Sequence, residues 1–257
     1  MYNGRKRLCV CTGWRTVDGR RFGDRLATLS LQLNAIQRRL QQLVCLGRPA
    51  GTSETGGWCS VAAGREHRTD HHLARAISVL LFGRTAASLG DGLGEYGREI
   101  AESGLAERVD AFDGAPFVEE MTAGRVRFLD LAVPQYWLAV YDWVVCLEVL
   151  EHVPARLEVT ALDNVVRSAR LGVVLSWARP GQHGFAHINP RPSDYVVEAM
   201  NRRGFRLDEL WTTKLRDAAT FAWFKFTINV YRRTNESLKL FDWRTNWTVT
   251  YLGDSKR

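Results

Sequence analysis

The chain has 257 residues, 46% of them hydrophobic and 25% charged, the proportions of an ordinary globular protein long enough to bury a core without covalent staples. Collagen-like, disordered and disulfide-framework classes are excluded. The net charge of +7 belongs to residues 1–60, which hold ten Lys or Arg against three acids, while residues 61–257 carry 25 of each; the basicity is therefore no reason to read the whole chain as a nucleic-acid binder.

Residues 1–57 form a basic N-terminal extension with one amphipathic helix. Leu26, Leu29, Leu33, Ile36, Leu40 and Leu43 repeat at alternating spacings of three and four, which is an a/d seam. The seam is expected to lie on the main domain, with self-association as the alternative; the protein is expected to be a monomer or weak dimer. An organelle presequence is a third reading of this Arg-rich, acid-poor stretch. Gly47 to Gly57 reads as a Gly-rich linker, which places a domain boundary there. Cys9, Cys11, Cys45, Cys59 and Cys146 include no CxxC pair and are expected as free thiols in a reducing compartment. Cys59 with His67, His71 and His72 matches no zinc spacing, so no metal is expected. No apolar run approaches the about 20 residues of a membrane span, and no secretory leader is evident. A cytoplasmic location is expected, and the sequons at Asn235 and Asn246 are expected to stay unmodified.

From residue 58 to 233 the pattern alternates helices with short apolar strands. A helix is expected at His71 to Phe82, capped by Thr69 or Asp70, then a strand at Ala86 to Leu89, and a helix from Glu95 stopped by Gly104. Strands follow at Arg108 to Phe112, Arg125 to Leu129 and Trp143 to Leu147. Pro154 opens a helix that Gly172 closes, Val173 to Trp177 is a strand, and Ser193 caps a helix ending at Gly204. Phe224 to Val230 alternates with period two and reads as a last strand. The tail, 234–257, keeps Phe241, Trp243, Trp247 and Tyr251 but no legible motif. The alternation implies an α/β fold: a doubly wound, mostly parallel seven-stranded Rossmann-like sheet, its ligand over the carboxyl ends of the strands.

Chemistry concentrates at those ends. Ser88-Leu-Gly90-Asp91-Gly92-Leu-Gly94 is a glycine turn between a strand and a helix, open to close approach by a ligand. No Lys-Ser/Thr follows it, which disfavours triphosphate hydrolysis. Asp113 ends the next strand and can accept both hydroxyls of a ribose; Asp130-Leu131 ends the one after. Tyr141 to Val153 (YDWVVCLEVLEHV) is a buried strand running into Glu148, Glu151 and His152. A dinucleotide reading (Gly92-Leu-Gly94-Glu-Tyr-Gly97, with Asp113 on an NAD ribose) leaves the EVLEH element without a role. No Asp/Asn-Pro-Pro-Tyr follows that strand, which argues against amino methylation of adenine. Cys146 is mid-strand, a poor nucleophile and a natural buried apolar residue.

In this order of motifs, from Thr85 to Arg233, the chain resembles the class I S-adenosylmethionine-dependent methyltransferases, small-molecule members in particular. The resemblance implies S-adenosyl-L-methionine as cofactor. It puts Gly90, Gly92 and Gly94 against the methionine end, Asp113 on the ribose, Asp130 and Leu131 at the adenine, and Glu148 beside the sulfonium or the substrate. The family's usual acid two residues before the first glycine is Ser88 here, which implies either that Asp91 takes its place or that the methionine amino group is bound more weakly. Ser176 to Pro192, after the fifth strand, reads as a substrate loop. Its His187 is the preferred general base and His152 the second candidate, since imidazole titrates near neutrality. The expected reaction is methyl transfer to a hydroxyl of a small molecule or glycan-type acceptor. The alternatives are an RNA or protein acceptor recruited through residues 1–57, and a non-catalytic cofactor-binding module.

Overall fold

The computed structural model describes residues 19–59 and 68–235, and a two-stranded pair, β8 (Phe241–Asp242) with β9 (Trp247–Thr248). Residues 1–18, His67, Asn246, Trp243 and Tyr251 lie outside the described residues, and with them Cys9, Cys11 and the first four basic residues of the arm, Arg5, Lys6, Arg7 and Arg15.

Seven strands form one sheet in the order β3-β2-β1-β4-β5-β7-β6. They are β1 (Thr85–Leu89), β2 (Arg108–Asp113), β3 (Val126–Phe128), β4 (Tyr141–Leu147), β5 (Ala169–Ser176), β6 (Phe205–Leu207) and β7 (Asn229–Arg233). The first five pair in parallel, and β7 runs antiparallel to both β5 and β6. β4 is apolar and buried nearly throughout, as a strand covered on both faces must be. One face packs Val165 of α5 (Glu158–Arg167) and Met200 of α6 (Ser193–Arg202) against the sheet. The other packs α2 (His71–Leu80), α3 (Glu95–Glu102) and α7 (Glu209–Ala218) through Ile77, Ile100 and Leu215. A four-residue helix, α4 (Val118–Met121), precedes β3. This is the doubly wound sheet that the alternation of elements implies. Asp70 is the cap of α2: it accepts from Leu73 N–H and also from Thr220 and Phe221 N–H. Burial raises its pKa, but these bonds outweigh burial and hold it below the usual range. Among the described residues no helix is long and apolar enough to cross a membrane.

Several expectations need correction. Gly172 does not close a helix; it lies inside β5, where a Cβ would come within 2.4 Å of the Trp143 ring. Pro154 precedes a single 3₁₀ turn, Ala155–Leu157, before α5 begins. Pro192, not Ser193, occupies the cap position of α6. Phe224–Thr227 is a helical turn, α8, because Phe224 and Thr227 point inward together at a spacing of three while Phe226 faces out.

The largest correction concerns α1 (Gly19–Gly47). It does lie on the sheet, but by a polar face. Ser30, Asn34 and Gln41 are buried, whereas Leu29, Leu33, Ile36, Leu40 and Leu43 are exposed. The Asn34 amide donates to Phe128 O (3.1 Å) and accepts from Asp130 N–H (3.0 Å) and from the Gln135 amide (2.9 Å). Trp137 N–H donates to Ser30 Oγ (3.1 Å). Arg38 pairs with Glu119 and Glu120. Buried backbone groups beyond β3 need partners, and the polar face supplies them where the leucine face cannot.

Candidate functional site

A cleft lies over the carboxyl ends of β1, β2, β3 and β4, the place of a ligand site in an open α/β sheet. The glycine turn after β1 forms one wall. Gly90 (φ 74°) packs on Val149 so closely that a Cβ would sit 2.3 Å from Cγ2. Gly92 N–H donates to Asp113 Oδ2 (2.8 Å), and Ala115 N–H donates to Oδ1 (2.7 Å). Asp113 therefore stands at the end of β2 with both oxygens held by backbone. A carboxylate offers about four lone-pair sites, enough for these two N–H groups and the two hydroxyls of a ribose.

Gly90, Gly92, Asp113, Asp130, Leu131, Glu148 and His152 all line the cleft; Asp91, Gly94 and His187 do not. Gly94 instead caps α3 in the left-handed conformation and abuts Val126. Asp91 turns under the turn, 3% exposed, and its Oδ2 accepts from Gly97 N–H (2.8 Å) while Oδ1 meets no donor. Burial pushes its carboxyl up to about 7, against the pull of Gly97 N–H and the Ser88 hydroxyl. The expectation that Asp91 replaces the missing acid at a ligand is thus not met by its position: a buried group facing the turn's own backbone serves the turn. Asp130 Oδ2 accepts from the Gln41 amide (2.6 Å) and Oδ1 from Ala132 N–H (2.8 Å), so this acid joins the cleft floor to α1. Burial raises its pKa.

The sequence reading missed the roof. Thr55, Gly56, Gly57 and Trp58 line the cleft. Gly57 approaches Gly114 O so closely that a Cβ would lie 2.1 Å from it. The Trp58 ring meets those of His152 (5.7 Å) and Phe185 (5.8 Å) edge-on. The segment read as a linker is a wall of the site, and the expected free thiols Cys45 and Cys59 are joined in a disulfide that ties its two ends. A pair of glycines ahead of a tryptophan was the available signal. Cys146 is buried and free, as read from its place in the strand.

Beyond β4 the chain turns sharply at Glu148, whose φ of 54° is a conformation non-glycine residues rarely adopt. Its N–H donates to Ser176 Oγ (2.8 Å), and its carboxylate accepts from the Gln182 amide and from Thr227 Oγ1. Burial raises its pKa. Glu151, beside it, is fully buried, and its pKa is raised well above the usual range by burial and by Glu148. His152 and His187 stack edge-on at 5.1 Å. His187 Nε2 lies 4.0 Å from Glu151 Oε1. The two candidate bases are thus brought together with Glu151, to which the sequence pattern assigned no role.

No protein-family model matches the chain, and no curated protein matches it. Among solved structures it is similar to magnesium protoporphyrin IX methyltransferase from Synechocystis PCC 6803 with bound SAM (19% identity, 68% of this chain and 82% of that one, TM-score 0.47). It is similar to a TehB-like SAM-dependent methyltransferase from Corynebacterium glutamicum (18%, 67% and 92%, TM-score 0.47). A third is 1,6-didemethyltoxoflavin-N1-methyltransferase from Burkholderia thailandensis, with bound 1,6-didemethyltoxoflavin and S-adenosylhomocysteine (17%, 68% and 84%, TM-score 0.46). At these identities the likeness is one of fold.

Proposed function

We propose that this chain is an S-adenosyl-L-methionine-dependent methyltransferase acting on a hydroxyl of a small-molecule or glycan-type acceptor. The observation that carries the reading is Asp113, a carboxylate fixed in the cleft by Gly92 and Ala115 N–H at the end of β2. That is the acceptor a nucleoside ribose needs, next to a turn whose backbone a ligand can approach. The donor set fits the cofactor: Asp113 for the ribose, an apolar slot at Leu131 and Val118 for the adenine, and Gly90 and Gly92 with no side chain in the way of the methionine end. Asp130 acts on this slot by fixing its floor to α1, and Glu148 stands at the reacting end.

When bound, the cofactor supplies an electrophilic methyl group on a sulfonium. The protein's part is to hold the acceptor oxygen in line, exclude water and take up the hydroxyl proton. Trp58 lies at the cleft wall against His152, with Phe185 packed on its far side. The Glu151, His152 and His187 cluster is the place for the proton, with His152 at the cleft wall and His187 behind it. Titration calorimetry with S-adenosylhomocysteine is expected to give one site, and a labelled-methyl screen over hydroxyl acceptors to give turnover. Absence of S-adenosylhomocysteine binding, or tighter binding of NAD, refutes the reading; binding without turnover on any acceptor leaves a cofactor-binding module.

A further inference from the structure

Proton uptake alone does not account for the make-up of the cluster. Glu151 is 0% exposed, and neither of its carboxylate oxygens meets a hydrogen-bond donor. It lies against a second carboxylate, the half-buried Glu148. A fully buried acid with an orphaned oxygen pair beside another carboxylate calls for a positive charge next to it. The two imidazoles next to them are arranged alike. His152 Nδ1 is bonded to Ala186 O (3.2 Å) and His187 Nδ1 to Gln182 O (3.1 Å). A carbonyl accepts only, so Nδ1 carries the proton in both rings and Nε2 is the lone-pair nitrogen. Anchoring one ring nitrogen on a backbone carbonyl and turning the other inward is how proteins fix a histidine as a metal ligand.

Two backbone features serve this arrangement. Ala186 takes φ 56°, a strained conformation that sites of function retain, and its carbonyl is the one that holds His152. Gly184 lets the chain pack directly on the His187 ring: a Cβ there would lie 2.1 Å from Nε2. Ligating atoms of Glu151, His152 and His187 all fall within 4.8 Å of one another. Bonds of about 2.0–2.2 Å to a tetrahedral ion would bring them to about 3.4 Å apart, a contraction of up to about 1.4 Å.

We infer that Glu151, His152 and His187 form a binding site for one first-row divalent transition-metal ion, which revises the expectation of no metal. Two imidazoles and one carboxylate suit zinc, cobalt, nickel, iron or manganese better than magnesium or calcium, which favour all-oxygen sets. Three protein ligands leave at least one position open, as in catalytic rather than structural centres, and His152 sets that position at the cleft. In the methyl-transfer reading, on which this last step rests, the open position would take the acceptor oxygen and lower the pKa of its hydroxyl; both histidines would then be ligands, replacing the proton-accepting role given to the metal-free cluster, and the hydroxyl proton would leave to solvent.

The test uses the full-length protein, stripped with a chelator and reloaded with Zn²⁺ or Co²⁺. One equivalent of Zn²⁺ is expected to survive gel filtration, and Co²⁺ to give visible absorption bands that Zn²⁺ displaces. Glu151→Gln and His187→Ala are expected to lower Zn²⁺ affinity on the order of 100-fold or more, with His71→Ala, an exposed histidine paired with Glu99, unchanged. Proton NMR of the unsubstituted protein keeps the inference testable if a variant fails to fold: Zn²⁺ must shift the ring resonances of His152 and His187 and leave those of His71 and His72 in place. Far less than one equivalent of metal, or unshifted His152 and His187 resonances, overturns it; a proton shared by Glu148 and Glu151 then fills the place of the ion. S-adenosylhomocysteine titrated into the same samples separates the two readings, since intact binding without metal removes the metal centre alone, and one metal without S-adenosylhomocysteine binding removes the methyl-transfer reading alone.

Discussion

Replacing Asp113 by alanine should weaken S-adenosylhomocysteine binding in a way that identifies the part of the ligand it touches. The structure gives the carboxylate two fixed backbone donors, Gly92 N–H and Ala115 N–H, so its orientation is settled before a ligand arrives and little ordering is left to do on binding. Two charge-assisted hydrogen bonds to the ribose hydroxyls are then lost, at a cost of about 1–3 kcal/mol, or roughly 5–140-fold in Kd. Asparagine should do no better than alanine. Its NH₂ group must face either Gly92 N–H or Ala115 N–H, placing donor against donor. The assay is calorimetry with S-adenosylhomocysteine and with its 2′-deoxyribose analogue. Wild type should bind the analogue about tenfold more weakly, one hydrogen bond's worth, and Asp113→Ala should scarcely distinguish the two. A variant that still prefers the ribose form by the wild-type factor refutes the assignment, whatever its overall affinity.

Asp91→Asn bears on pH. The wild-type carboxyl titrates at about 7 in the fold against 3.8 in the unfolded chain, so the stability of its neutral form is complete below pH 3.8 and is lost as pH rises through 7, by about 4 kcal/mol at most. The variant should flatten urea-unfolding stability over that range, exceed wild type at pH 8, and bind S-adenosylhomocysteine unchanged; a tenfold loss of binding would return Asp91 to the ligand. The exposed seam of α1 should bring two copies together, giving a dimer by light scattering that Leu33→Asp with Leu40→Asp converts to monomer at unchanged S-adenosylhomocysteine affinity. A wild-type monomer at high concentration contradicts this. Gly172→Ala should cost about 1–3 kcal/mol in chemical unfolding, because a Cβ would sit 2.4 Å from the Trp143 ring and 2.6 Å from Tyr231 O; a neutral result would mean that β5 and β7 yield more easily than their packing indicates.

What could be read from the sequence was local. The apolar run of β4, the glycine turn after β1 and the acid ending β2 each declare themselves within a few residues, and together they locate the cleft. Properties set by distant partners did not declare themselves. Gly56 and Gly57 look the same in composition whether they swing freely or lie against His152 O and Gly114 O. The leucine repeat of α1 marks a helix correctly, but its period cannot say that Asn34 and Gln41, on a neighbouring face, find Phe128 O and Asp130. Glu151 is one of two acids in EVLEHV, and only the packing around it reveals that it has no donor. Ser88 looked like a lost ligand; in the fold its hydroxyl lies at Asp91, inside the turn rather than facing the cleft.

The amide of Asn34 meets Phe128 O and Asp130 N–H as the next strand of a sheet would, one donor and one acceptor at the spacing of a backbone. β3 is an outermost strand, and a bare outermost strand is a template on which another chain can add itself. Thr122 and Glu119 cover the first part of that edge, at Val126 and Phe128 N–H, and one side chain of α1 blocks its carboxyl end. A polypeptide shortened to begin at residue 58 would therefore uncover that end of the strand edge as well as remove basic charge. Its self-assembly through that edge would have to be separated from any loss of function before residues 1–57 were credited with recruiting a substrate.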